Sequence, residues 1–127
     1  MLVRVLVFSA VMALMACASG SGGGQPRGSR NVITQEEIVA LPITTASDLV
    51  NRLRPSWLRG RGPTSISGGI PALPLVYVDE VRTGGIEALD LISSQVIREI
   101  RFINGRDATT KWGLDHGGGV IMVLTGR

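Results

Sequence analysis

The sequence predicts a small α+β or α/β domain in which short helices cover a mixed sheet. Three aliphatic, β-branched runs have the composition of strands, and they comprise residues 75–78, 97–103 and 120–125. Short segments with helical spacing and hydroxyl caps stand between and before them. With 127 residues, of which 44% are hydrophobic, the chain has enough apolar surface for one domain with a modest core.

Two capping patterns define the helices predicted in the N-terminal half. Thr34 stands three residues before Glu37, the spacing of a capping box, and Pro42 should end the helix that follows. Thr45 repeats the pattern before a run with apolar residues at helical spacing, which should end before Pro55. The predicted elements are a strand at 31–33, a helix at 35–41, a helix at 46–54 and a short strand near 57–59.

The C-terminal half predicts a hairpin, short helices and two further strands. The predicted elements are a strand at 75–78, a turn at 79–80 leading to 81–82, a helix of one or two turns at 86–92, a strand at 97–103, a turn at 104–105, a helical turn at 107–112 and a strand at 120–125. The apolar residues of 97–103 do not alternate strictly, which indicates a bulge or burial of both faces near the strand end.

Cys17 is the only cysteine, and it follows a short apolar run that begins just after Arg4. This layout is typical of a secretory signal peptide over residues 1–16, and the run is too short to span a bilayer. Leu14-Met-Ala-Cys17 resembles a bacterial lipobox, which implies cleavage before Cys17 and lipidation of its thiol and new amine. An ordinary signal peptide or a small N-terminal anchor with an incidental cysteine is the alternative.

Residues 17–30 form the predicted lipidated cysteine and a Gly/Ser-rich tether. Ala18, rather than Asp, follows the cysteine, which in the resembling Gram-negative signals favours the periplasmic face of the outer membrane; a secreted or periplasmic protein is the alternative. Loss of residues 1–16 leaves twelve basic and ten acidic residues, a net charge of +2. So small a charge, spread along the chain, does not indicate nucleic-acid binding.

The order of these segments resembles the plug domain of TonB-dependent outer-membrane receptors. The matching segments are Ile33–Ile38, Thr45–Val50, Pro74–Asp79 (like "P-x-x-x-x-D"), Ile97–Gly105 (like "I-E-V-L-K-G"), Ala108–Gly113 and Gly118–Val123 (like "A-x-x-Y-G … G-G-V-I-x-I"). The resemblance implies a plug-like α+β domain over residues 31–127 and an outer-membrane, partner-binding context. The receptor's barrel and an evident TonB box are not found in these residues, so its transport activity is not expected to carry over.

The C-terminal half of the sequence contains four candidate chemical sites. His116, the only histidine, stands after Asp115 beside three glycines, where it could serve as an exposed base oriented by an acid, although a polar loop residue is the expected role. Ser93 and Ser94 lack the glycines of a nucleophile elbow and are expected to cap a turn. Asp79-Glu80 predicts a turn, and Gly117-Gly-Gly119 a close approach to the sheet. No cofactor or metal is expected.

The strongest interaction candidate is a group of arginines around a tryptophan. Its members are Arg52, Arg54, Trp57, Arg59 and Arg61. Arg and Trp are enriched at binding hot spots, and guanidinium groups suit anionic lipid or lipopolysaccharide phosphates. The alternative is a solvated loop with Trp57 in the core.

The sequence therefore predicts a non-enzymatic outer-membrane lipoprotein whose plug-like domain binds an envelope protein or ligand. A structural domain that assembles with itself through exposed edge strands is the second hypothesis. A small periplasmic hydrolase using His116 or Asp115 is the third. The sequence does not determine the oligomeric state.

Overall fold

A computed structural model describes residues 29–60 and 72–126. They form a five-stranded mixed sheet with helices on both faces, which confirms the predicted α+β class. The strands are β1 (Val32–Ile33), β2 (Leu75–Val78), β3 (Val81–Gly84), β4 (Ile97–Ile103) and β5 (Val120–Thr125). The α-helices are α1 (Gln35–Val39), α2 (Ala46–Leu53) and α3 (Gly105–Trp112).

The strand order is β1-β4-β5-β2-β3, so β5 lies at the centre of the sheet. β5 runs parallel to β2 and antiparallel to β4, while β1 and β3 pair antiparallel to their single neighbours. The predicted bulge in β4 is confirmed, because the register with β5 shifts between Ile97 and Glu99. The shift lets Ile97 and Ile100, three residues apart, enter the same core.

The sheet separates two hydrophobic cores. The larger core lies between the sheet and α1 and α2, and its fully buried side chains include Ile33, Leu49, Leu89, Ile100 and Ile121. The smaller core lies under α3 and holds Tyr77, Ala108, Val120 and Met122. Residues of β5 alternate between the two cores, which explains why this strand is almost continuously apolar.

Local capping accounts for most helix boundaries. Thr34 accepts from the backbone of Glu37 while the Glu37 carboxylate accepts from Thr34 N, so the predicted capping box is confirmed. Thr45 caps α2 through Asp48 N. α1 ends at Val39, earlier than the predicted Leu41.

The helix of one or two turns predicted at 86–92 is confirmed and is a 3₁₀ helix, Ile86–Leu91. Two elements differ from the sequence predictions. The segment expected as a short strand near 57–59 is instead a 3₁₀ turn, Pro55–Trp57, because Pro55 stands at its first position and Trp57 folds into the core. Asn104 caps α3 by accepting from Asp107 N rather than forming a turn, so the helix begins at Gly105.

The N-terminal predictions fall outside the described residues. Cys17, the signal peptide and most of the tether precede Ser29, so their predicted roles stay predictions. Among residues 29–60 and 72–126, no helix is long and apolar enough to cross a membrane.

Candidate functional site

His116 is buried, which corrects its prediction as an exposed loop residue. Only 3% of its surface is accessible, because the rings of Tyr77 and Trp112 lie against it with centroid separations of 5.9 Å. The 3₁₀ turn Leu114–His116 carries it back from the end of α3 onto the sheet. Long-range packing therefore places a polar residue in the smaller core.

Both nitrogens of the His116 ring have partners. Nε2 lies 2.8 Å from the hydroxyl of Tyr77, while Nδ1 lies 2.8 Å from Asp115 Oδ1 and 3.3 Å from Gly113 O. A carboxylate and a carbonyl accept hydrogen bonds but do not donate them, so Nδ1 carries a proton. In the neutral ring, Nε2 then accepts from the Tyr77 O–H.

Two exposed ion pairs lie at the border of this cluster. Arg82 donates to Asp115 at 3.2 Å, and Lys111 lies 3.7 Å from Glu80. The Lys111 ammonium also lies 4.4 Å from the centroid of the Trp112 ring. These contacts join the hairpin to α3 and the turn after it.

The glycines of this region allow close backbone approach, as predicted for 117–119. A Cβ on Gly118 would overlap the carbonyl of Leu73, and one on Gly105 would overlap the carbonyl oxygen of Gly117. Gly119 has φ of +93°, and a Cβ there would lie 2.7 Å from Ile103 O. These glycines therefore let the backbone at the start of β5 pack closely against Leu73 and Ile103.

The predicted turn at Asp79-Glu80 is confirmed. Both residues have positive φ (46° and 70°), as in the tight turns that suit two-residue hairpins. The Asp79 carboxylate accepts from Thr125 N and Oγ1 at 2.9 and 2.6 Å, whereas Glu80 faces Lys111. The two carboxylates thus have different partners on different elements.

Ser93 caps a 3₁₀ turn, and Ser94 links the same turn to the loop before α2. Ser93 Oγ accepts from Gln95 N at 3.4 Å and so caps the 3₁₀ turn Ser94–Val96, as predicted. Ser94 is buried and donates to Ile43 O at 2.5 Å, which ties that turn to the loop before α2.

The predicted arginine group does not form one surface. Trp57 is 4% exposed and stacks on Phe102, with centroids 5.6 Å apart, so it belongs to the larger core. Arg54 is partly buried and donates to Glu37, at 3.0 Å, and to the carbonyl of Val32, at 3.2 Å. Only Arg52 and Arg59 are exposed, and Arg61 lies outside the described residues.

A groove crosses the molecule beside α1, where β2 and β5 end and β4 begins. It consists of a cavity of about 640 Å³ and an adjacent one of about 820 Å³, which share Gln35 and Arg98. Val78, Val96 and Ile97 contribute apolar surface to the first cavity. The groove therefore combines apolar residues with polar and charged ones, among them Arg98 and the carboxylates of Glu36, Asp79 and Glu99.

Of the charged groups in the groove, Glu99 forms an ion pair, whereas Arg98 has no ionic partner among the described residues. Glu99 accepts a hydrogen bond from Arg101, and this bond, together with the opposite charge, raises the pKa of the Arg101 guanidinium. Among the described residues, no carboxylate lies within ion-pair distance of Arg98. The Arg98 side chain is exposed and offers a guanidinium group to a ligand in the groove.

Sequence reasoning did not identify the groove. Gln35 is distant in the chain from Gln95 and Arg98, and it meets them because β1, which directly precedes α1, pairs with β4.

Within residues 29–60 and 72–126, no three His, Cys, Asp or Glu side chains are grouped as metal ligands. No protein-family model matches the chain, and no curated protein matches it significantly.

Proposed function

We propose that this chain is a non-enzymatic lipoprotein of the outer membrane, anchored through Cys17, whose plug-like domain binds an envelope protein. The lipobox-like segment before Cys17 supports the anchor, and the ordered series of plug-like segments supports the domain. The observation that carries the binding role is the groove with its exposed Val96 and with Arg98, which forms no ion pair with another described residue. Arginine is one of the residues enriched at the hot spots of protein interfaces.

The geometry of His116 favours binding over hydrolysis. A general base needs a free lone pair within reach of its substrate, but Nε2 of His116 is occupied by Tyr77 and the ring is 97% buried. The nearest candidate nucleophile, the Tyr77 hydroxyl, is itself in the core. We therefore assign this cluster to the stability of the fold.

The anchor is tested by metabolic labelling with a palmitate analogue in cells that express the full chain. The wild type should be labelled and found with outer membranes. Cys17→Ser should lose the label and leave the membrane fraction. Labelling that persists in the variant, or a wild type without label, would contradict the anchor.

The binding role is tested with a photo-crosslinking amino acid at Val96 in the full chain in cells. We expect a discrete crosslinked protein that disappears when Arg98→Glu is added. The matched control site is Leu114, which is 95% exposed and lies at the opposite end of β5. Equal adducts at both sites, or none at Val96, would count against the groove.

The open edge of β3 favours a second candidate, assembly of the domain with itself. Within the described residues, β3 pairs only with β2, and Val81 at its start is 67% exposed. Its shortness and the register shift beside it are features that oppose edge pairing. A concentration-dependent dimer in size-exclusion chromatography that Thr83→Pro abolishes would support assembly; a monomer at all concentrations would exclude it.

A further inference from the structure

We infer that Arg30, Arg52 and Arg59 form a membrane-facing surface that binds the anionic headgroups of the bilayer holding the anchor. This inference rests on the proposed lipid anchor. It differs from the group predicted from sequence, because Arg30 is added, Trp57 and Arg54 are not members, and Arg61 lies outside the described residues. We call these three residues the arginine face.

Internal contacts hold the backbone at Arg30, where the predicted tether joins the domain, against the segment that contains Arg54 and Trp57. The indole of Trp57 donates to the carbonyl of Arg30 at 3.2 Å, and Arg54 donates to that of Val32 at 3.2 Å. The backbone of Arg30 is thus held against the segment that carries Arg52 and Arg59. Trp57 and Arg54 therefore hold in place the backbone at Arg30, which carries one side chain of the arginine face.

The arginine face is exposed, and no counter-ion for it lies in the part of the chain that the structure describes. All three side chains are exposed, and among the described residues none forms an ion pair. Asp48 lies one turn before Arg52 on α2, but its carboxylate accepts from Thr45. No acidic residue occurs between Asp48 and Asp79, or before Glu36, so every charged side chain in these two stretches of sequence is basic.

The position of the tether supports a lipid partner for this face. The predicted anchor at Cys17 and the arginine face are joined by residues 18–29, which are rich in glycine and serine. Because only these residues separate Cys17 from Arg30, the length of the chain keeps the face close to the bilayer. Each arginine near an anionic surface strengthens binding about fivefold.

The test measures sedimentation of the mature chain, residues 17–127, with vesicles. Cys17→Ser removes the acylation site, so binding reports the protein surface alone. Vesicles contain phosphatidylethanolamine with or without phosphatidylglycerol. We expect binding to the anionic vesicles only, with loss on addition of salt. The triple variant Arg30→Gln, Arg52→Gln, Arg59→Gln should bind roughly a hundredfold more weakly.

The matched control removes the same charge from another part of the surface. It carries Arg82→Gln, Arg101→Gln and Arg106→Gln, three exposed arginines of β3, β4 and α3, and should keep most of the binding. Equal losses in both triple variants, no loss in either, or equal binding to neutral vesicles would overturn the inference. So would preferential binding to polyglutamate, which would indicate an acidic protein partner. Circular dichroism confirms that each variant is folded.

This result is independent of the anchor experiment. If the wild type is not labelled by palmitate, the proposed lipid anchor fails, whereas the vesicle assay still reports on the arginine face. If labelling succeeds and the vesicle assay shows no arginine dependence, only the present inference fails.

Discussion

The hydroxyl of Tyr77 and Nε2 of His116 lie 2.8 Å apart inside the smaller core, although 39 residues separate them in the chain. The contact links β2 to the 3₁₀ turn before β5. It satisfies two polar atoms that would otherwise be buried without partners, and an unsatisfied buried group is costly. The pair is therefore a structural link between the hairpin and the α3 side of the sheet.

Removal of either the Tyr77 hydroxyl or the His116 ring should lower the free energy of unfolding. Removal of both should lower it by less than the sum of the two single effects. Tyr77→Phe leaves Nε2 of His116 without a donor, and we expect the free energy of unfolding to fall by about 1–3 kcal/mol. His116→Leu leaves the Tyr77 hydroxyl unpaired. In urea unfolding, the double variant should show a coupling of about 1 kcal/mol or more. Strictly additive losses would mean that the two groups do not interact.

The tautomer of His116 gives a spectroscopic prediction. Because Asp115 and Gly113 offer only acceptors to Nδ1, the neutral ring should carry its proton there. Long-range ¹H–¹⁵N correlation spectra should show Nδ1 as the protonated nitrogen. Tyr77→Phe should change the Nε2 shift more than the Nδ1 shift. A spectrum with the proton on Nε2 would contradict the hydrogen-bond assignment.

The strands and the caps could be predicted from the sequence because their signals are local. Thr34 and Glu37 lie one helical turn apart, and the strand Val120–Thr125 is apolar throughout. Asn104 was misassigned because Asn-Gly is typical of turns, although Asp107, three residues later, also gives it capping spacing.

The candidate sites could not be predicted equally well, because they depend on contacts distant in sequence. The His116 ring is hydrogen-bonded to Tyr77, and the Arg54 guanidinium is hydrogen-bonded to Glu37. No local pattern distinguishes a tryptophan that stacks on Phe102 from one that faces solvent. Only the sheet order brings these partners together.

Gly105→Ala should destabilise the domain despite improving helix propensity. Alanine is favoured over glycine in a helix by about 1 kcal/mol, but its Cβ would overlap the backbone carbonyl of Gly117, which cannot rotate away. Overpacking of this kind costs about 1–3 kcal/mol, so we expect a net loss.

Gly126→Ala is the matched control, because a Cβ there has no neighbour within 4 Å. Its midpoint of urea unfolding should stay near that of the wild type. A Gly105→Ala variant as stable as Gly126→Ala would show that the loop moves aside without cost.

Arg54 and Arg52 should respond differently to the same substitution. The Arg54 fork bridges the Glu37 carboxylate and two backbone carbonyls, so Arg54→Lys loses geometry that an ammonium cannot reproduce. We expect a loss of about 1–3 kcal/mol. Arg52 is exposed without an ion pair among the described residues, and Arg52→Lys should stay within about 0.5 kcal/mol of the wild type. Equal effects in thermal unfolding would mean that the Arg54 bridges are not formed in solution.

Trp57→Ala distinguishes a core residue from an interaction residue. Trp57 is buried against Phe102, so its truncation should lower the free energy of unfolding by about 3–5 kcal/mol. Leu91→Ala, at an 88% exposed position, is the control and should change it by less than about 0.5 kcal/mol. Because Trp57 also holds Arg30, the milder Trp57→Phe should keep the fold yet loosen the chain at Ser29–Asn31. Faster amide exchange there, with the sheet unchanged, is the expected result; a Trp57→Ala protein as stable as the wild type would mean that the side chain is outside the core.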